Sequence, residues 1–302
     1  MSKKRKFIND AKNFSRVVKT RWYLRHRRKI EAILRDGTPP DTRETDRNFD
    51  AIQNRTPARR FVYGYSPLEC WTRASERVAE LLKLDCLQEP GAKTLEVGCG
   101  DGLVSLQLSA FGHDVACTDL EDWRSEQCSH LPSHIGKMED GLPYEDNEFD
   151  CAFSYNTFEH VEQPDQCLAE MSRVVRPGGL ILISFSPLYC SPWGLHAYRT
   201  INAPYAQFLF SENTIIEKLR EIGHRDLGRE SMELQPLNKW RIESFSETFG
   251  AAPQTRIHTL VRTYDFLHLD WVLRFPQVFT GQELELDDIT VAGISCILRR
   301  CK

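Results

Sequence analysis

The chemistry in this chain is most concentrated in Thr94-Leu95-Glu96-Val97-Gly98-Cys99-Gly100-Asp101-Gly102. An apolar run enters a glycine turn, and Gly102–Phe111 has the pattern of a helix stopped by Gly112. Glycines let the backbone approach a ligand closely, and a helix start offers unpaired N–H donors. A dinucleotide-binding fingerprint would put its third glycine where Leu103 stands. Instead, Glu96 lies two residues before the first glycine. A carboxylate there would repel a pyrophosphate and suits a ligand carrying an ammonium or sulfonium group. The next apolar stretch, Asp114–Thr118, runs into Asp119, which is placed to hold a ribose diol by two hydrogen bonds.

These residues need a scaffold, and the flanking sequence supplies one. Ser66-Pro67-Leu68-Glu69 is a helix start with a capping hydroxyl, a proline at the first position and a glutamate at capping-box spacing. That helix is predicted to run to about Leu84. Lys93–Val97, Asp114–Thr118, Phe149–Tyr155 and Leu180–Phe185 read as strands, with a helix over Pro164–Val175 ended by Pro177-Gly178-Gly179. The alternation predicts an α/β fold, a doubly wound and mainly parallel sheet. The rhythm lapses over Ser186–Phe210, which reads as a lid. Helices over Glu212–Ile222 and near Asn238–Phe249, then a strand near Ile289–Leu298, complete the pattern.

The chain has 302 residues, 41% of them hydrophobic, and a formal charge of −4, as in ordinary globular proteins. No apolar run reaches the ~18 residues of a membrane span. The N-terminus lacks an apolar secretory core. The ten cysteines contain no CxxC pair, so neither a metal site nor a disulfide framework is expected, and a cytoplasmic setting is. His113, in a Gly-His-Asp turn, reads as a surface residue.

The motifs together resemble the class I S-adenosylmethionine-dependent methyltransferases, and most of all the subgroup related to the ubiquinone and menaquinone biosynthesis enzymes. The resemblance spans about Thr94 to Ser184. It is carried by Leu95–Gly102, Thr118-Asp119, Leu142–Asp150, Phe158-Glu159-His160-Val161 and Arg176-Pro177-Gly178-Gly179. It implies a Rossmann-like fold with S-adenosyl-L-methionine as cofactor. By that resemblance Gly98, Cys99 and Gly100 wrap the methionine part, Asp101 is a further cofactor-binding residue, and Asp119 takes the ribose, with Leu120 beside the adenine. Met138 and Glu139 line the adenine, although Lys137 stands where the family usually has an acid. Tyr155 and Asn156 fall at the reaction centre.

The acceptor is narrowed by what is missing. The Asn/Asp-Pro-Pro-aromatic stretch of amino-group methylation is replaced by Ser154-Tyr155-Asn156-Thr157-Phe158, and no Pro-Cys or Thr-Cys pair for cytosine chemistry occurs. A hydroxyl of a small molecule or glycan is the expected acceptor. His196 and His160 are the candidate catalytic bases. His160 has bracing of its loop as its other reading. The alternatives are an RNA- or protein-modifying methyltransferase, or a cofactor-fold binding module without catalysis.

Charge divides the chain. Residues 1–35 carry thirteen Lys or Arg against Asp10 and Glu31, a net of +11, and the remainder carries −15. Phe7, Ala11, Phe14, Val18 and Trp22 recur at helical spacing, with Ile30, Ile33 and Leu34 beyond, which predicts a basic amphipathic helix. Such an arm suits an anionic membrane surface, making the protein peripheral there; nucleic acid is the weaker partner, and folding back on the acidic body the alternative. Asp36–Pro57 reads as a linker or surface loop. The expected division is therefore an extension over 1–65 and a methyltransferase domain over 66–302, with 186–238 as its substrate-lid insertion.

Overall fold

A computed structural model describes residues 22–23, 25–59, 64–226, 229–230 and 233–301. The apolar positions Phe7 to Val18 of the basic arm lie outside these residues. The chain divides into two compact units. One holds Arg59–Tyr189, Arg225–Thr263 and Gly293–Lys302; the second holds Met1–Ala58, Cys190–His224 and Tyr264–Ala292.

The first unit is built on a seven-stranded sheet. Its strands are β1 (Lys93–Val97), β2 (Asp114–Asp119), β3 (Ser133–Ile135), β4 (Phe149–Tyr155), β5 (Val175–Phe185), β6 (Thr255–Tyr264) and β7 (Val291–Arg300), in the order β3-β2-β1-β4-β5-β7-β6. The four pairings among β1 to β5 are parallel, and β7 runs antiparallel to β5. The sheet is thus mainly parallel, as the alternating pattern requires. Leu95, Val97, Phe149, Phe153, Leu180 and Ile183 are all within 1% of complete burial. Their continuous apolar runs suit strands covered on both faces.

Four helices of this unit matter for the site: α1 (Pro67–Leu81), α2 (Leu103–Ala110), α3 (Pro164–Val174) and α4 (Ile242–Ala251). Ser66 and Glu69 form the reciprocal capping box at the start of α1. α1 and α2 pack on one core with Ala74, Val78, Leu81, Leu103, Val104 and Leu108 buried in it. α3 ends before Pro177-Gly178-Gly179, because Val175 already pairs with Phe149 as the first residue of β5. The register then shifts between Phe149 and Cys151, and this irregularity absorbs the Pro-Gly-Gly stretch.

Three further elements differ from the sequence pattern. Thr255–Tyr264 is an edge strand, missed because seven of its ten residues are exposed and no buried face sets a period. The last strand begins at Val291, since Leu286–Thr290 closes a short helix through a Glu285–Asp288 capping box. His113 is 6% exposed, so it is a buried residue and not a surface one.

The second unit corrects the domain boundary drawn from sequence. Asp36–Pro57 is no linker: Arg43–Arg47 and Phe49–Arg55 are helices, and Thr45, Phe49 and Ile52 are buried. Phe49 packs on Phe210 with ring centroids 4.6 Å apart. Gln53 Nε2 donates to Thr200 O at 2.7 Å, and Ser211 N donates to Asp46 Oδ1 at 2.9 Å. Residues 25–34 are helical, with Ile30 and Leu34 buried. The N-terminal segment therefore shares its unit with 190–224, most of the expected lid, and with 264–292. Sequence missed this because Phe49 and Ile52 are two isolated apolar residues, too few to give a period. Phe49→Ala should cost about 3–5 kcal/mol, a core phenylalanine's penalty, where a linker residue would cost almost nothing. Chemical denaturation of the full chain, followed by tryptophan fluorescence, measures that loss.

Candidate functional site

β1 ends in a turn in which Gly98, Gly100 and Gly102 have φ of +77°, +52° and +75°. Two of these glycines have distinct physical reasons. A Cβ on Gly98 would fall 2.1 Å from Thr157 Oγ1, so the loop after β4 presses directly on the turn. A Cβ on Gly100 would meet nothing within 4 Å, so the turn is open there for a ligand.

β2 holds the turn in place. Gly98 N and Cys99 N both donate to Thr118 O, at 2.8 and 3.1 Å. Gly100 N donates to Asp119 Oδ2 at 2.8 Å, and Leu120 N to Asp119 Oδ1 at 2.8 Å. Burial raises the Asp119 pKa, and the hydrogen bonds from backbone amides oppose that rise. The carboxylate is thus fixed at the strand end, beside the open side of the turn.

Glu96 departs from its expected role. It is 1% exposed and accepts hydrogen bonds from Ser105 N at 3.1 Å and Ser105 Oγ at 2.5 Å. Burial pushes its pKa up to about 8. It ties β1 to α2 as a buried, protonated group, and does not offer a bare carboxylate to a cation. Asp101 accepts from Leu103 N at 3.2 Å at the start of α2 and pairs with Arg73 Nη2 at 2.6 Å. Cys99 is 5% exposed, and a hydrogen bond with the Cys117 thiol, together with burial, raises its pKa. A thiol so held is a filler of the turn and no nucleophile.

Tyr155 is also corrected. Its hydroxyl donates to Glu80 Oε2 at 3.1 Å and lies 3.4 Å from Arg77 O, so it reaches back to α1. Asn156, at φ +53°, is exposed at the end of β4, and its N–H donates to Ser184 O at 2.9 Å. Met138 is buried and Glu139 partly buried, whereas Leu120 is 52% exposed. Lys137 pairs with Glu162 at 3.1 Å on the surface.

The loop after β4 is braced from the stretch preceding α4. His160 Nδ1 donates to Pro236 O at 2.8 Å, and Asn238 Nδ2 donates to Phe158 O and Val161 O at 2.7 and 2.9 Å. His196 belongs to the second unit, where it has φ +62° and its N–H donates to Trp193 O at 3.1 Å.

Sequence reasoning missed Arg73 and Arg77. Arg77 is partly buried, its guanidinium lies 4.8 Å from the centroid of the Tyr155 ring, and it meets no hydrogen-bond acceptor among the described residues. Burial and the like charge of Arg73 lower its pKa; Glu96 and Asp101 oppose that. A signal was there: the two arginines lie i, i+4 on α1, beside the buried Ala74 and Val78.

Part of the chain is similar to known proteins. Residues 95–183 match a family described as a methyltransferase domain. That segment runs from within β1 to within β5 and includes the glycine turn, Asp119 and the loop after β4. An uncharacterized methyltransferase of Mycobacterium marinum is 34% identical over 113 residues, covering 35% of this chain and 43% of the relative. Methyltransferase GfsG of Streptomyces halstedii is 32% identical over 136 residues, covering 40% and 49%. The chain spans about half the length, or less, of these curated relatives. Among solved structures, an S-adenosylmethionine-dependent methyltransferase from Mesorhizobium loti matches 76% of this chain and 100% of its own, at 15% identity and a TM-score of 0.45.

Two buried acids give the sheet unit a measurable signature. Burial pushes both Glu96 and Glu159 up to about pH 8. A carboxyl that holds its proton more tightly when folded contributes its stability below the unfolded pKa and loses it as pH rises through about 8. Thermal midpoints should therefore fall between pH 5 and 9, and fall less in Glu159→Gln, as calorimetric melts would record.

Proposed function

We propose that the protein is an S-adenosylmethionine-dependent methyltransferase acting on a hydroxyl of a small molecule or glycan. The observation that carries the cofactor is the turn open at Gly100, with the Asp119 carboxylate bonded to Gly100 N and, in the same unit, the Arg77 guanidinium that meets no acceptor among the described residues. The donor set fits a zwitterionic nucleoside. Asp119 would take the ribose diol, and Met138 would line the adenine. Arg77, with Arg73, would take the amino-acid carboxylate, because a partly buried guanidinium without an acceptor is incompletely paired. When bound, S-adenosylmethionine supplies a methyl group activated by its sulfonium.

The protein's own part is alignment, exclusion of water and removal of the acceptor's proton. His160 and His196 are the residues proposed for that last step, and the Nδ1 of His160 donates to Pro236 O, which orients its ring. The hydroxyl acceptor rests on the sequence after β4, Ser154 to Phe158, which lacks the Pro-Pro pattern of amino-group methylation. Calorimetry should give micromolar affinity for S-adenosylhomocysteine, about −8 kcal/mol. Asp119→Ala should weaken it by roughly 2–4 kcal/mol. Arg77→Ala should weaken S-adenosylhomocysteine but spare 5′-methylthioadenosine, which lacks the carboxylate. Labelled S-adenosylmethionine with fractionated cell extract then separates small-molecule and glycan acceptors from RNA and protein.

A second proposal concerns the N-terminal segment. Arg25, Arg27, Arg28 and Lys29 are exposed, while Ile30 and Leu34 are buried. Over residues 25–34 the apolar face is therefore used within the fold, and the cationic face is the one presented. Attraction to an anionic surface, about 1 kcal/mol per cation, is the interaction that remains there. No described helix is long and apolar enough to cross a membrane. The full-length protein should sediment with anionic vesicles at low salt and with neither neutral vesicles nor anionic ones at high salt.

A further inference from the structure

Lys239 stands in a backbone conformation that a lysine rarely takes. Its φ is +59°, in the left-handed region that a non-glycine residue enters at a steric cost. Hydrogen bonds of its neighbours hold it there. Asn238 N donates to Glu159 O at 3.0 Å, and Asn238 Nδ2 donates to Phe158 O and Val161 O at 2.7 and 2.9 Å. Trp240 N then donates to Asn238 Oδ1 at 3.0 Å. Lys239 is thus carried by a segment fastened to the loop after β4, the loop whose Thr157 presses on Gly98 of the glycine turn.

The ammonium is not spent on an internal partner. Lys239 is exposed and joins no ion pair or hydrogen bond among the described residues. Its contact is with an aromatic face, Nζ lying 5.5 Å from the centroid of the Tyr189 ring. The two acids of the loop after β4 are otherwise engaged. Burial drives Glu159 toward its neutral form, and Glu162 pairs with Lys137 at 3.1 Å. Tyr189 follows the end of β5 and the loop follows the end of β4, two parallel neighbours in the sheet. The carboxyl ends of such strands are where open α/β sheets take their ligands. A lysine that served solvation alone would need neither a strained φ nor fastened neighbours, and strain of this kind collects at ligand clamps.

We propose that Lys239 is a binding residue for the methyl acceptor and contacts an anionic group, a carboxylate or a phosphate, that the acceptor carries besides its hydroxyl. This rests on the methyltransferase reading above and adds that the acceptor is acidic. A lysine ammonium is a compact point charge, which suits a single oxygen of such a group, and the Tyr189 ring offers an apolar face beside it. The chain beyond residue 35 carries a net −15, so an acidic ligand is repelled by the body as a whole. One cation fixed at the site then decides whether such a ligand is held.

The test uses full-length protein, S-adenosylhomocysteine for binding, and tritiated S-adenosylmethionine for transfer. The small-molecule and glycan fractions of a cell extract are first split by anion exchange into neutral and anionic pools. The parent should label the anionic pool, and treatment of that pool with phosphatase separates a phosphate from a carboxylate. Lys239→Asn keeps a residue that accepts the left-handed φ and removes the charge. It should bind S-adenosylhomocysteine within about twofold of the parent, yet transfer label about 10–100-fold more slowly at limiting extract. Lys239→Arg, which keeps a cation, should recover most of the transfer. Added salt should slow the parent more than Lys239→Asn. Label confined to the neutral pool overturns the proposal and leaves the methyltransferase reading standing. Parental rates in Lys239→Asn overturn it as well. So does a loss of S-adenosylhomocysteine affinity that parallels the loss of transfer, which would make the residue a support of the cofactor site. Failure of the parent to bind S-adenosylhomocysteine at all is a separate result, and it removes the methyltransferase reading itself.

Discussion

The carboxylate of Asp119 bonded to the amide of Gly100 is the contact on which the site depends. A glycine turn alone has no fixed shape, because the freedom that lets it approach a ligand also lets it wander. Here three backbone amides of the turn are committed to the end of β2: two to Thr118 O and one to Asp119. The parallel register that pairs Val97 with Thr118 makes this possible, since it brings the ends of both strands to the same level. The carboxylate that would read a ribose is therefore the same group that shapes the cradle beside it.

The electrostatics follow from burial. Two acids that look like anions in the sequence, Glu96 and Glu159, are driven toward their neutral forms by loss of water. Arg77, in the same region, keeps a guanidinium with no acceptor among the described residues. The region is thus less negative than its composition suggests, which suits a ligand bearing a carboxylate. Glu96 lies two residues before the glycine turn, and its hydrogen bonds fasten Ser105 and so the start of α2.

The second unit shows how a chain can use residues that look dispensable. Thr45, Phe49, Ile52, Ile30 and Leu34 are scattered among charges, and each is buried. Phe49 finds Phe210, and Gln53 finds Thr200, more than a hundred residues away. Such contacts have no local signature. They also change the meaning of the basic segment, because the apolar half of its helix is partly spent inside the protein.

Sequence alone determined β1, β2, β4 and the core of β5, whose apolar runs and glycine stops are local, and with them the parallel sheet. It also determined the turn at Gly98–Gly102 and the acid at Asp119, because strand ends and glycines have strong local signatures. Only the tertiary structure decided the rest. Tyr155 turned to α1, and Glu96 became a buried neutral tie. Arg77 joined the site from a helix that its own pattern explains as amphipathic, and the edge strand Thr255–Tyr264 was added where no buried face could announce it. The reason is common to all four. Which way a side chain faces, and whether it stays charged, is set by neighbours distant in the chain and by the water they exclude, and neither is encoded in local spacing.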